Sequence, residues 1–238
     1  ISDGAGGVFV GWNDNRNGSP NPIFDPDGFD LYGQHVLANG TVDPRWPPDG
    51  LPVCNAPGAQ YHFDMATDGQ GGAFFFWQDH RATRQVFGQR ILADGTIAPG
   101  WVAQGRPLST TPNGKFITRA IPDGQGGFYG TWEQNNATNG AGEIYAQHVR
   151  GDGAIALGWP MEGLPLAAAS NIHYSHAHSV SMDGAGGAFV AFEAATKVSN
   201  LVHVHRIAND GPVPTRAALI DAVVQDDGEV VLRWHSTE

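Results

Sequence analysis

Three aspartates at short spacing form the first group of side chains that could bind an ion. Asp25, Asp27 and Asp30 surround Gly28 in the segment Asp-Pro-Asp-Gly-Phe-Asp. A hard cation such as Ca²⁺ binds several oxygens that converge on one point. The segment lacks the terminal glutamate that completes an EF-hand, and aspartates in a glycine turn also accept hydrogen bonds from backbone amides. We favour the plain turn, with no cofactor, and keep a Ca²⁺ site as the alternative.

Histidines that alternate along two predicted strands form the second group. His176 and His178 precede an Asp-Gly turn, and His203 and His205 follow it. Residues two apart in a strand lie on the same side of a sheet, as a transition-metal site requires. An intervening strand would hold the two pairs about 10 Å apart, so one ion would not be shared. A metal site at His176 and His178 is one prediction, and we favour hydrogen-bonded sheet histidines or a pH-sensitive interface.

An acid and an arginine two residues apart follow two of the predicted strands. The pairs are Asp14 with Arg16 and Asp79 with Arg81. A bidentate bond between such groups can fasten a loop, and the same groups can bind a sugar or a carboxylate. Repetition of the pair favours the structural role. The ligand-binding candidates are these four residues together with Glu133, Glu193 and Tyr174.

The sequence contains none of the common catalytic signatures. Gly-x-Ser-x-Gly, Gly-x-x-x-x-Gly-Lys, His-Glu-x-x-His, Cys-x-x-Cys and the Asp-box of sialidases are all absent. A propeller glycosidase would require two carboxyl groups roughly 5 to 9 Å apart. Glu133, Glu193, Asp14 or Asp79 could supply them, but no spacing selects a pair. We therefore expect no catalytic residue, and a glycoside hydrolase or lyase is the alternative.

An internal repeat determines how these residues are positioned. Asp-Gly-x-Gly-Gly begins at Asp3, Asp68, Asp123 and Asp183, at spacings of 55 to 65 residues. Periods of this kind are typical of stacked or radially arranged units. Each copy is followed by an apolar run that ends in an aromatic residue, and then by an Asn-Gly or Asp-Gly turn. The alternation predicts four short antiparallel strands in each repeat.

Four antiparallel strands match one blade of a β-propeller, so the predicted fold is all-β with about four blades and a fraction. The repeated patterns are DG-x-GG-x-F-V-x-W, D-I-Y-x-Q-R-V-x-x-D-G and G-W-x-x-x-G-x-P-L. In these patterns the chain resembles secreted bacterial propeller-like repeats over residues 3–217. The resemblance implies an extracellular or cell-surface protein and carries no reaction.

The repeats also predict the domain boundaries. Blades are expected near residues 3–55, 60–110, 115–167 and 176–216. In the fourth, Phe192 replaces the tryptophan of the other copies, and the Trp-x-x-x-Gly-x-Pro segment is lost. Residues 217–238 are predicted to begin a further blade or a fibronectin-type or immunoglobulin-like module. The chain opens inside a repeat, which is the pattern expected of a piece of a longer protein.

Composition narrows the classes of partner. The 238 residues carry a formal net charge of −11, which would repel phosphate backbones and anionic lipid. We therefore expect no nucleic-acid partner, and no apolar run is long enough to predict membrane insertion. The single Cys54 cannot form an internal disulfide.

Variable loops point to a binding surface. The strand order places the loops that differ between repeats at one end of the blades, and such loops are where ligands are usually bound. They are residues 13–29, 78–84, 133–142 and 170–175. We predict a non-catalytic binding or assembly module for a protein or a glycan. A structural subunit of a filament or surface layer, which self-associates through exposed edge strands, is a further alternative.

Overall fold

The computed structural model describes residues 1–17, 28–135, 142–167, 173–195, 200–207, 218–224 and 230–236. For residues 167, 173–177, 194–195, 200–202, 218–224 and 230–236 it describes the course of the backbone only. These ranges contain sixteen strands and no helix. Within them there is accordingly no helical stretch with the length and apolarity that crossing a bilayer requires.

The strands form four antiparallel sheets in chain order. Sheet 1 contains β1 (Val8–Asp14), β2 (Asp30–Val36) and β3 (Leu51–Cys54). Sheet 2 contains β4 (Gln60–Thr67), β5 (Ala73–Asp79), β6 (Gln85–Ile91) and β7 (Arg106–Ser109). Sheet 3 contains β8 (Lys115–Pro122), β9 (Phe128–Asn135), β10 (Gly142–Val149) and β11 (Leu164–Ala167). Sheet 4 contains β12 (His173–Met182), β13 (Ala188–Ala195), β14 (Asn200–Ile207), β15 (Ala218–Val224) and β16 (Val230–Ser236).

The sheets pack face to face around an axis. The innermost strand β8 contacts β4 on one side and β12 on the other, while β1 contacts β4. Buried apolar side chains fill the space between neighbouring sheets: Phe9 with Phe75, Phe74 with Phe128, and Tyr129 with Val190. Burial of side chains on both faces of each sheet drives this stacking. The predicted all-β propeller fold is confirmed, and sheets 2 and 3 have the four strands expected of a blade.

The C-terminal residues extend the fourth sheet. Strand β15 pairs with β14 in the place that the fourth strand takes in sheets 2 and 3, and β16 pairs with β15. The sheet therefore has five strands. The assignment of residues 217–238 to a further blade or to a separate module stays a prediction.

The repeated Asp-Gly turn is held by its aspartate. In sheet 2, Asp68 Oδ1 accepts hydrogen bonds from the backbone amides of Gln70 and Gly72, each at 2.7 Å. Its Oδ2 accepts from Arg90 Nε and Nη2 at 3.0 and 2.8 Å. A Cβ on Gly72 would lie 2.5 Å from Asp68 Oδ2, so the last glycine of the motif is required by close approach. The same pairing recurs as Asp3 with His35, Asp123 with His148 and Asp183 with Arg206.

Replacing Asp68 by asparagine is expected to lower the free energy of unfolding by about 2 kcal/mol, because the buried Arg90 guanidinium loses its charged partner. Arg90 retains a bond to the Gly151 carbonyl, which limits the loss. Asp152→Asn is the control, since Asp152 pairs with Arg150 on the surface, where both side chains are about half exposed. It should cost less than about 0.5 kcal/mol. Chemical denaturation followed by tryptophan fluorescence measures both, and equal losses would contradict this role of the turn.

A tryptophan and a glycine pack against each other in each of the first three sheets. Trp12 lies on β1, Trp77 on β5 and Trp132 on β9, and they contact Gly50, Gly105 and Gly163, which directly precede β3, β7 and β11. A Cβ on any of these glycines would lie 2.2 to 2.4 Å from the indole ring. The fourth repeat lacks both the tryptophan and the glycine of this pair, which is expected if the two residues depend on each other for packing.

Candidate functional site

A small cleft opens between sheets 2 and 3 at the end opposite the Asp-Gly turns, which we call the loop end. Its volume is about 270 Å³. It lies where β4 and β8 begin and where residues 80–84 join β5 to β6. It is lined by Tyr61, His62, Gln78, His80, Arg84 and Phe116.

A larger groove lies at the turn end, where the Asp-Gly turns are. Its volume is about 660 Å³, and its charged side chains are already paired. Arg90 bonds to Asp68, His148 to Asp123, and Arg150 to Asp152. The first two of these pairs recur in equivalent positions of the other sheets, so they belong to the construction of the repeat. The loop-end cleft is therefore the candidate site.

Irregular backbone shapes the inner wall of the cleft. The pairing of β4 with β5 shifts register between Tyr61 and Asp64, and His62 adopts a φ of 45°. Strand β8 has the same shift after Phe116, with Ile117 at a φ of 44°. Left-handed backbone costs a residue other than glycine about 1 to 2 kcal/mol. Strain of this kind persists only where the surroundings enforce it. The pairing of β12 with β13 also shifts register, between Tyr174 and His178, so the bulge belongs to the construction of the repeat.

The two bulges are joined across the sheets. The Thr118 hydroxyl donates to the carbonyl of His62 and also lies 3.3 Å from that of Phe76. The backbone amide of Ala120 donates to Asp64 Oδ2 at 3.0 Å. These bonds link β8 to sheet 2 directly beside the cleft, so the positions of the lining side chains are fixed by the backbone.

Gln78 carries an unsatisfied polar atom in the cleft. The residue is 2% exposed, and its Oε1 has no hydrogen-bond partner in the described ranges. Its Nε2 lies 2.7 Å from His80 Nε2. Exchanging the amide oxygen and nitrogen would satisfy one atom and leave the other without a partner. A buried polar group of this kind costs about 1 to 3 kcal/mol unless a ligand or water completes it.

Aromatic rings form the walls around this amide. The Tyr61 ring packs edge-on to the His80 ring at 5.2 Å between centroids, and it also packs against Phe29 at 5.5 Å. The Arg84 guanidinium lies 5.0 Å from the centre of the Phe116 ring. The cleft thus combines flat apolar surfaces with an amide, two imidazoles and a guanidinium. Small-molecule sites combine the same two kinds of group, although usually with a smaller polar share.

The inner part of the site is electropositive. Arg119 lies on β8 opposite Thr131, and its Nη1 donates to the carbonyl of Thr118. Partial desolvation, and then the Arg119 charge, lower the pKa of His62. Burial, and then Arg119, lower the pKa of His178 to about 4. Both imidazoles are therefore neutral at physiological pH, and the guanidinium supplies the positive charge.

The predicted acid–arginine pairs are used inside the protein. Asp79 Oδ1 accepts from the Arg81 amide and Nε, and its Oδ2 accepts from Arg81 Nη2 and Trp77 Nε1. The Arg81 guanidinium stacks on the Phe87 ring at 4.1 Å and donates to the Gln104 carbonyl. Asp14 and Arg16 repeat the arrangement in sheet 1 with Trp12 and Tyr32. These contacts favour the structural interpretation, and a ligand-binding role stays a prediction.

The remaining ligand candidates are on sheets 3 and 4. Glu133 is 4% exposed near the end of β9, and Glu193 has the equivalent place on β13. Both side chains already interact with other groups. Tyr174 lies on β12, and its side chain is outside the described residues. Ligand binding by these three residues stays a prediction.

The predicted metal ligands are only partly described. Asp25 and Asp27 lie outside the described residues, while Asp30 begins β2 and accepts from Asn17 Nδ2 at 3.0 Å. The backbone of His176 is on β12, and His178 Nε2 is hydrogen-bonded to Thr131 Oγ1 at 2.9 Å. The described part of the chain contains no cluster of three histidine, cysteine or acidic residues that could hold a metal ion. The Ca²⁺ and histidine sites stay predictions.

Comparison with known proteins finds solved structures similar to this chain, among them the following two. One is an exo-1,5-α-L-arabinanase from a bovine ruminal metagenomic library, with a TM-score of 0.47 and 14% identity over 96% of this chain and 74% of that one. The other is an endo-1,4-β-xylanase from Bacteroides thetaiotaomicron, with a TM-score of 0.35 and 9% identity over 87% of this chain and 72% of that one. No protein-family model matches the chain, and no curated protein is significantly similar to it. Likenesses this weak say nothing about the activity of this protein.

Proposed function

We propose that this protein is a non-catalytic binding module that holds a saccharide in the loop-end cleft. The observation that carries the proposal is the buried amide of Gln78, one polar atom of which has no partner. A hydroxyl group both donates and accepts, so a sugar hydroxyl completes the amide in either orientation. We further propose an extracellular or cell-surface location, as the resemblance of the repeats implies.

The shape and lining of the cleft favour a sugar over a protein partner. A stable protein interface covers about 800 Å² of each partner. This cleft, at about 270 Å³, is slightly smaller than typical drug-sized pockets and suits a single ring. Tyr61 and Phe116 line the cleft and supply aromatic surface for the apolar side of a sugar ring, and the polar side chains of the lining are available to its hydroxyls.

Turnover requires groups that do not line the cleft. Hydrolysis of a glycosidic bond uses two carboxyl groups on either side of the bond. No carboxylate is among the described residues that line the cleft. A hydrolase or lyase using Glu133 or Glu193 therefore remains the alternative, and a structural subunit that associates through edge strands is a second one.

Gln78→Ala is expected to weaken saccharide binding at least about tenfold, the effect of losing one or two hydrogen bonds to a ligand. The free energy of unfolding should fall by no more than about 1 kcal/mol, because the loss of the bond to His80 is partly offset by removal of an unsatisfied buried atom. The control is Gln125→Ala, whose exposed side chain lies at the turn end. A glycan array identifies the sugar, and calorimetric titration with denaturation curves measures both quantities.

Two results would overturn this proposal. One is undiminished binding in the Gln78→Ala variant with the sugar that the array selects. The other is release of sugar from a polysaccharide by the unaltered protein that disappears in Glu133→Gln or Glu193→Gln, which would establish the enzyme. Light scattering tests the alternative of a structural subunit, because a monodisperse monomer argues against self-association.

A further inference from the structure

We infer that the saccharide held in the cleft is acidic and that its anionic group binds Arg84. This inference rests on the proposed function and specifies the class of ligand. It comes from an uneven distribution of ion pairs over the molecule.

Most arginines of the described residues are neutralised by an aspartate. The paired arginines are Arg16, Arg45, Arg81, Arg90, Arg150 and Arg206. Arg84 and Arg119, at and beside the cleft, form no ion pair with a described carboxylate. Arg106, at a distance from the cleft, forms none either and donates only to the Gly100 carbonyl. Two arginines without a carboxylate partner in the described part of the chain are thus found at one site of an acidic protein.

The geometry leaves the donors of Arg84 available. Its guanidinium carbon lies over the Phe116 ring, 5.0 Å from the ring centre, and the residue is exposed, so a ligand in the cleft can reach the guanidinium. His62 lines the same cleft, and Arg119 is close enough for its charge to lower the pKa of His62. Asp64, the carboxylate beside this wall, accepts from the Ala120 amide instead of from a guanidinium.

An acidic sugar fits these groups. A guanidinium donates two parallel hydrogen bonds to a carboxylate or a sulfate, and such charge-assisted bonds are roughly twice as strong as neutral ones. The net charge of −11 opposes the approach of an anion. Physiological salt screens exposed charges that are more than about 8 Å apart, so the arginine in contact with the ligand outweighs the distant aspartates.

The test compares sugars that differ only in the acidic group. Titrations use oligomers of galacturonate and galactose, and of glucuronate and glucose, together with a sulfated galactose oligomer. The acidic oligomers should bind at least about tenfold more tightly than the neutral ones, and the difference should shrink between about 50 and 300 mM NaCl. Preference for uronate over sulfate, or the reverse, identifies the anionic group, and both support the inference.

Two arginine variants test which side chain binds the anionic group of the sugar. Arg84→Gln should remove the advantage of the acidic oligomers and leave binding of the neutral ones unchanged. Arg106→Gln is the control, because it removes an unpaired arginine elsewhere, and it should change neither. Equal binding of acidic and neutral oligomers, with both weakened in Gln78→Ala, would overturn this inference and leave the proposed function standing. Binding of no saccharide would overturn both.

Discussion

Gly105→Ala is expected to lower the free energy of unfolding by about 3 to 5 kcal/mol, which combines the cost of left-handed backbone with that of overpacking. Gly105 has a φ of 81°, and an added Cβ would lie 2.2 Å from Cη2 of Trp77. Trp77 is fully buried between sheets 1 and 2, so its indole has no space into which it could move. Chemical denaturation and the midpoint of thermal unfolding measure the loss.

Gly69→Ala separates the two contributions. Gly69 has a similar φ of 70°, but no atom lies within 4 Å of an added Cβ. This variant should lose only the backbone contribution, about 1 to 2 kcal/mol. Equal losses in the two variants would show that the contact between tryptophan and glycine does not determine how the fourth strand packs.

Asp79→Ala is expected to destabilise the protein by about 3 to 5 kcal/mol, the usual cost of removing one partner from a buried ion pair. Asp79 is completely buried, and its loss leaves Arg81 uncompensated and Trp77 Nε1 without an acceptor. Under conditions where the variant is folded, it should bind the saccharide as tightly as the unaltered protein. Denaturation curves and calorimetric titration measure the two effects.

Asp14→Ala is the matched control for this clamp. Asp14 makes the same contacts in sheet 1, but the side chain of Arg16 is 39% exposed, against 26% for Arg81. The loss should therefore be smaller, about 1 to 2 kcal/mol. A fully stable Asp79→Ala variant that no longer binds the saccharide would establish the ligand-binding role in place of the clamp.

The repeat was sufficient to predict the fold. Tight turns, β-branched runs and aromatic positions recur in register, so each strand is predicted from several copies at once. The predicted inner strand at residues 61–66, for example, is observed as Gln60–Thr67. The fourth repeat lacks the Trp-Gly-Pro pattern after Phe192. The position of β15 could therefore not be inferred from the other copies.

The candidate site was predicted only in part. The variable loop at residues 78–84 includes Gln78, His80 and Arg84, half of the residues that line the cleft. His62 and Phe116 could not be found in this way, because a bulge changes which way side chains face without changing their spacing in the sequence. The two positive φ angles at His62 and Ile117 are visible only in the structure.

The distribution of charge over the molecule could also be predicted only in part from the sequence. The composition predicts repulsion of anions, since acids outnumber bases by eleven. Ion pairs with aspartate neutralise most arginines of the described residues. Four of the six pairs join residues two apart in the sequence, and two join strands distant in the sequence, Arg90 with Asp68 and Arg206 with Asp183. Arg84 and Arg119 have no aspartate two residues away, but neither do Arg90 and Arg206, so only the fold distinguishes these two pairs of arginines.

A crystal structure of the protein with a short uronate oligomer tests the central claim most directly. We predict one sugar ring in the loop-end cleft between Tyr61 and Phe116, with a hydroxyl within hydrogen-bonding distance of the Gln78 amide and the carboxylate on Arg84. A ring bound instead in the turn-end groove beside Trp159, or an empty cleft at saturating oligomer, would contradict it.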